Sequence, residues 1–215
     1  MKLSDILSLK SMKYMDVLRD KDIKKINSIP SILHGFRVEY FMGNPPPCNA
    51  SSKTKQELEY LSTLPQDSEF VHEMDDITKV FEDYCKTVDI DFPKNLVEQL
   101  LDDSSIFTRT LKVHYNRPRP YQVADHPLVN IDIGKDARLE SMSTPSYPSG
   151  HSTQGILIGK VLSHMYPDHE YNLMNLGRDI SKSRNIGRAH YPSDSKFGMK
   201  LGYALYNHLI KMERL

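Results

Sequence analysis

The chain has 215 residues, with 28 Lys plus Arg against 28 Asp plus Glu. That length is enough for one domain that buries most of its apolar surface without a disulfide or a structural metal. The zero net charge gives no electrostatic reason to expect a nucleic-acid or membrane-surface partner.

Met1-Lys2-Leu3-Ser4-Asp5 places an acid and polar residues where a secretory peptide needs an unbroken apolar run. No window approaches the ~20 apolar residues of a membrane span. Together these predict a soluble, cytoplasmic protein. Cys48 and Cys85 lie far apart outside any CxxC motif and are read as lone thiols.

The first 30 residues mix Leu, Ile and Met with charges at helical spacing and predict one or two short helices. Pro45-Pro46-Pro47 breaks the pattern, and Ser51 or Ser52 can then cap a helix carrying Leu58 and Leu61. A second helix is expected from about Ser68, with Val71, Met74, Ile77, Phe81 and Tyr84 at three- or four-residue intervals. A third is expected from near Pro93 to Lys112. The Pro-, Asp-, Ser- and Gly-rich stretch from Arg117 to Gly150 reads as a long irregular connection, of a length often tied to function. Helices follow from about His151 to His164, from about Tyr171 to Ser183, and after Asp194. Strand signals are weak, so the expected fold is an all-α, single-domain helical bundle over residues 1–215.

Three segments carry chemistry. Lys112-Val-His-Tyr-Asn-Arg-Pro-Arg119-Pro120 sets basic groups at a helix end, where they can also simply complement the helix dipole. Pro148-Ser149-Gly150-His151 precedes an apolar helix. Unpaired N–H groups at a helix start bind anions, although a plain turn and N-cap needs the same residues. In Ser183-Arg184-x5-His190-x3-Asp194, the carboxylate can fix the His190 tautomer, cap the last helix, or do both.

Taken in order, Lys112-x6-Arg119-Pro120, Pro148-Ser149-Gly150-His151 and Ser183-Arg184-x5-His190-x3-Asp194 resemble the signature of the type 2 phosphatidic acid phosphatase (PAP2) superfamily. That superfamily includes membrane lipid phosphatases, bacterial class A acid phosphatases and vanadium haloperoxidases. The context Lys-x-His-Tyr-x-Arg-x-Arg-Pro is most similar to the class A acid phosphatases, which are typically periplasmic. The similarity is strong over about residues 109–194 and faint in the divergent helices of 1–92.

The resemblance implies metal-independent hydrolysis of phosphate monoesters, with His190 as nucleophile, Asp194 orienting it, and His151 as acid and then base. Lys112, Arg119, Arg184, Ser149 and the Gly150 amide would hold the phosphate, with charge and N–H donors doing the work of a metal. The division requires a neutral His190 beside a protonated His151, so their pKa values must be pushed apart. It implies no cofactor; vanadate would act as an inhibitor or, in a haloperoxidase, as the bound group. The expected partner is a small-molecule phosphate ester, without nucleic-acid polymer or membrane insertion. The sequence carries no mark of one oligomeric state.

Rival readings are a vanadium haloperoxidase, a metal-dependent hydrolase using His151, His190 and Asp194 as ligands, and a non-catalytic phosphate-binding protein. His114 is read as packing or as a support behind the site, and Arg117 and Arg188 as solvated surface cations in preference to an extension of the positive field towards a larger or more anionic substrate. Tyr147 and Tyr191 are candidate pocket walls. His34, His72, His126, His164, His169 and His208 follow no ligand pattern.

Overall fold

The computed structural model describes residues 2–14, 19–134 and 139–215. The parts of the N-terminal and 117–150 expectations that fall at 15–18 and 135–138 lie outside the described residues. Among the described residues ten α-helices run in the order α1 Leu3–Ser11, α2 Asp20–Ile26, α3 Ser52–Thr63, α4 Ser68–Glu73, α5 Ile77–Thr87, α6 Lys94–Tyr115, α7 Pro120–Ala124, α8 Gly150–Met165, α9 Glu170–Ile186 and α10 Pro192–Lys211. Among the described residues there is no strand, and the all-α expectation holds.

The middle of the molecule is α8. Ile156, Leu157, Ile158, Val161 and Leu162 are all buried, and a helix apolar on every side has to be enclosed. It is wrapped by α9, α10, α6 and α5. Each fully buried side chain of this kind stabilises the fold by about 1.5–3 kcal/mol relative to an exposed one. Two close approaches set its position. A Cβ on Gly177 of α9 would lie 2.5 Å from the Gly155 carbonyl oxygen of α8, and one on Gly198 of α10 would lie 2.5 Å from the Ser149 carbonyl oxygen. The second contact holds the N-terminus of α8 against the first turns of α10, the two places that carry His151 and Asp194.

Ser51 caps α3, its hydroxyl accepting from the Thr54 amide at 3.2 Å. The single helix expected from Ser68 to Tyr84 is instead two. The Asp76 carboxylate accepts the Lys79 amide at 3.0 Å and starts α5 anew. Apolar spacing runs on from Met74 to Ile77 across the break, so periodicity alone could not detect it. The break turns Asp75 inward. The 117–150 connection also contains a short helix, α7, with Pro120 at its first position. The last helix begins at Pro192, so Asp194 sits within its first turn rather than before it. No described helix is long and apolar enough to cross a membrane.

Candidate active site

Each motif is placed by a local feature of its sequence. Lys112 lies in the last turn of α6, which ends where Asn116 takes a left-handed conformation (φ 47°) that Asn tolerates well. The chain then leaves as Arg117-Pro118-Arg119-Pro120. Ser149 is the N-cap of α8, its hydroxyl accepting from the Ser152 amide at 3.3 Å. The Gly150 and His151 amides occupy the first turn, where no intrahelical acceptor exists. Arg184 stands in the last turn of α9. His190 and Asp194 straddle the start of α10.

These segments converge. A cavity of about 310 Å³ is lined by Lys112, Gly150, His151 and His190, with Asp75, Thr144 and Gln154 among the remaining wall. Arg119, Ser149, Arg184 and Asp194 stand just behind it, each fully buried.

His190 is held from both sides. Its Nε2 meets Arg119 Nη1 at 3.1 Å, and its Nδ1 meets Asp194 Oδ2 at 3.4 Å. A guanidinium only donates, so Nε2 presents its lone pair and the ring proton sits on Nδ1, facing the carboxylate. Burial, together with the Arg119 and Lys112 charges, holds the imidazole well below the ordinary histidine range despite the Asp194 hydrogen bond. It is neutral at physiological pH.

Asp194 accepts from Arg117 Nη1 at 2.5 Å, from the Ser146 hydroxyl at 2.5 Å and from the Tyr191 amide at 3.0 Å. Burial disfavours its charge, but Arg117 and the hydrogen bonds from His190 and Ser146 outweigh this and hold the carboxyl well below the usual carboxylate range. It orients His190 and also ties down the start of α10.

Arg119 donates to the carbonyls of Thr144 at 2.9 Å and Ala189 at 2.5 Å; burial brings it down to about 10, so it stays charged. Lys112 donates to the Pro145 carbonyl. Burial, with Arg119 beside it, pushes the ammonium well below the ordinary lysine range.

His151 Nε2 faces two acceptors, the Asp75 carbonyl at 3.1 Å and Asp75 Oδ1 at 3.2 Å, so it carries a proton. Arg184 Nη1 reaches the same Oδ1 at 2.5 Å, and its Nη2 donates to the Val71 carbonyl at 2.9 Å. Asp75 is therefore an anion shared between a guanidinium and an imidazole. The His151 hydrogen bond, the Arg184 charge and their lesser contributions outweigh burial and take Asp75 down to about 2. Burial lowers His151 as well, against the opposing pull of Asp75. Both histidines thus move in the same direction, His190 the further, rather than to opposite sides of the ordinary value.

Asp75 is the residue that sequence reasoning missed. It belongs to no motif, and only the α4–α5 break brings it in. Two readings need correction. Arg117 and Arg188 are not solvated: each is 2% exposed. Arg117 pairs with Asp194 and Glu57 and lies 3.7 Å from the centre of the Tyr191 ring. Arg188 donates to the carbonyls of Leu64, Pro65, Ile133 and Ile186, tying distant segments together. Neither Tyr147 nor Tyr191 walls the cavity. Tyr147 stacks on Phe197 in the core, and Tyr191 lies beneath Arg117. His114 is exposed beside Tyr115, and the other six histidines are exposed or half-buried. Among the described residues, no group of three His, Cys, Asp or Glu side chains is arranged to hold a metal ion.

Comparison with known proteins gives relatives over about half of the chain. An acid phosphatase of Zymomonas mobilis is 31% identical over 108 residues, covering 48% of this chain and 38% of that protein. A non-specific acid phosphatase of Salmonella typhimurium is 31% identical over 109 residues, covering 50% of this chain and 42% of the relative. The chain therefore matches about two-fifths of the length of these curated relatives. The structure of a bacterial vanadium-dependent iodoperoxidase aligns over 93% of this chain and 51% of its own, at a TM-score of 0.49 and 18% identity. The PAP2 superfamily profile matches residues 101–214, the stretch that contains Lys112, Arg119, His151, Arg184, His190 and Asp194. On that match, which takes in more than half of its residues, the chain belongs to the PAP2 superfamily.

Proposed function

We propose that the protein hydrolyses phosphate monoesters without a metal ion, through a phosphohistidine on His190. The observation that carries this reading is the His190 lone pair at Nε2, set in a cation-lined cavity with the proton-bearing His151 on the same wall. The named acid phosphatases among its relatives agree with it.

In this mechanism the phosphoryl group enters between Lys112, Arg119, Arg184 and the free amides of the first α8 turn. Its negative charge restores the protonation that burial disfavours at Lys112 and His151. Arg119 exchanges His190 Nε2 for a phosphoryl oxygen. Nε2 then attacks phosphorus in line, the ester P–O bond breaks, and the leaving alkoxide takes the His151 proton. Asp194 stabilises the positive charge that spreads to Nδ1–H. Water next adds to phosphorus as the N–P bond breaks, giving its proton to His151 and releasing phosphate. Asp75 Oδ1 occupies a place where an oxyanion meets Arg184 and His151 together, so the site already accommodates that charge.

The direct test is rapid quenching with a labelled phosphate ester in excess EDTA. An acid-labile, alkali-stable phosphoenzyme should form on the wild type and be absent from His190→Ala. Turnover that stops in EDTA would remove the metal-independent reading, and turnover without labelled protein would remove the intermediate.

Asp75 gives a pH prediction. The free enzyme requires His151 protonated, so kcat/KM should fall as pH rises through the His151 pKa, which burial sets below the ordinary ~6.5. Asp75 raises that pKa. Asp75→Asn should therefore move the alkaline limb to lower pH, as read from full kcat/KM profiles. A limb that stays in place or moves up would separate Asp75 from the acid.

A further inference from the structure

We propose that the cavity has a second anion position on Arg109, and that the preferred substrates carry a second phosphate on the carbon next to the one bearing the reacting ester. This rests on the phosphatase reading above and names the substrate class for the same site.

One face of α6 supplies the observation. Ser105, Thr108, Arg109 and Lys112 all line the cavity, at the spacing that puts residues on one stripe of a helix, while Phe107 and Leu111 turn to the core. Arg109 stands one turn from Lys112, about 4.5 Å of helix rise. That offset suits phosphates on adjacent carbons better than two joined through one oxygen.

The ion pairing around Arg109 is unequal. The buried Asp22 is gripped by Arg19 through Nε at 2.5 Å and Nη2 at 3.0 Å, and the third Arg19 nitrogen donates to Ser143 Oγ at 2.7 Å. Arg109 comes to 3.5 Å of the same carboxylate, Nε to Oδ1, beyond good hydrogen-bond length. Its terminal nitrogens have no acceptor among the described residues. Arg19, at the start of the same helix, already engages both Asp22 oxygens, and Lys25 with Asp102 separately ties α2 to α6. Arg109 is the surplus cation, and its side chain is 32% exposed on the cavity wall. A simple monoester, held by Lys112, Arg119 and Arg184, leaves it unused. A neighbouring phosphate would engage it bidentately.

The test compares two probes differing only in the second phosphate, 1,2-ethanediol bisphosphate and 1,2-ethanediol monophosphate, in EDTA. The wild type should favour the bisphosphate in kcat/KM. Arg109→Ala should lower the bisphosphate-to-monophosphate ratio by about ten-fold or more, mainly through KM, the scale of one lost charge-assisted contact. Arg109→Lys, which keeps the charge and loses the bidentate fork, should fall between the wild type and Arg109→Ala. In the wild type, rising salt should raise KM for the bisphosphate more steeply than for the monophosphate, a readout that does not depend on any variant folding. A wild type without bisphosphate preference, or a ratio unchanged in Arg109→Ala, overturns the second position while leaving the phosphatase reading intact. Hydrolysis of neither probe overturns both.

Discussion

Replacing His190 with alanine is expected to lower kcat for p-nitrophenyl phosphate by about 10⁴-fold or more, the scale on which removing a covalent nucleophile acts. The structure predicts that this loss is chemical and not a failure to fold. Arg119 keeps its bonds to the Ala189 carbonyl at 2.5 Å and the Thr144 carbonyl at 2.9 Å. Asp194 keeps Arg117, Ser146 and the Tyr191 amide. The cost in stability is one buried hydrogen-bond partner and a small void, about 1–3 kcal/mol. Circular dichroism of the purified variant should therefore resemble wild type, with a single cooperative melt lowered by roughly 2–12 °C. A variant turning over within ten-fold of wild type would show that the bond to phosphorus is made by another group.

The contrast between Asp75 and the motif residues shows what a single sequence can carry. The convergence of His190, His151, Lys112 and Asp194 was legible because residue type and spacing are fixed together in three segments whose order resembles one family signature. The core was legible for a different reason: α6, α8 and α10 have apolar residues at helical spacing over three or more turns. Asp75 has neither property. Its role depends on where α5 restarts, and Asp75-Asp76 looks the same whether it interrupts a helix or decorates one. Arg117 was misread because charge alone suggests solvent. Its partners Glu57 and Asp194 lie 60 and 77 residues away, and only the folded arrangement matches one cation with two buried carboxylates. Arg109 and Arg19 escaped notice likewise, since a rim assembled from α2 and α6 has no local pattern.

Asp194→Asn is expected to damage either the nucleophile or the fold, with the orientation of the new amide deciding which. The carboxylate is surrounded by donors: Arg117 on Oδ1, and Ser146, the Tyr191 amide and His190 on Oδ2. An amide has one oxygen to offer them. If the oxygen stays with Arg117, the new NH2 faces His190 Nδ1, which must then accept. That moves the ring proton to Nε2 and removes the attacking lone pair. The comparable change in a serine-protease triad costs about 10⁴-fold in kcat. If the oxygen turns towards His190 instead, the NH2 faces Arg117. Arg117 is 2% exposed, already has an unpaired Nε among the described residues, and keeps only Glu57 at 3.3 Å as an ionic partner. Breaking a buried pair in this way costs about 3–5 kcal/mol. The expected result is a kcat at least about 10²-fold lower, a melting temperature lower by roughly 6–20 °C, or both. The pH dependence adds a separate sign. A carboxyl held low in the folded state contributes stability in full above its unfolded value of about 3.9, and loses it as pH falls towards the folded value. The wild type should therefore lose melting temperature on acidification more steeply than Asp194→Asn. Calorimetry of both proteins across the acid range, beside kcat, makes the comparison; a variant matching wild type in rate, melting and acid slope would leave Asp194 without the orienting role assigned to it.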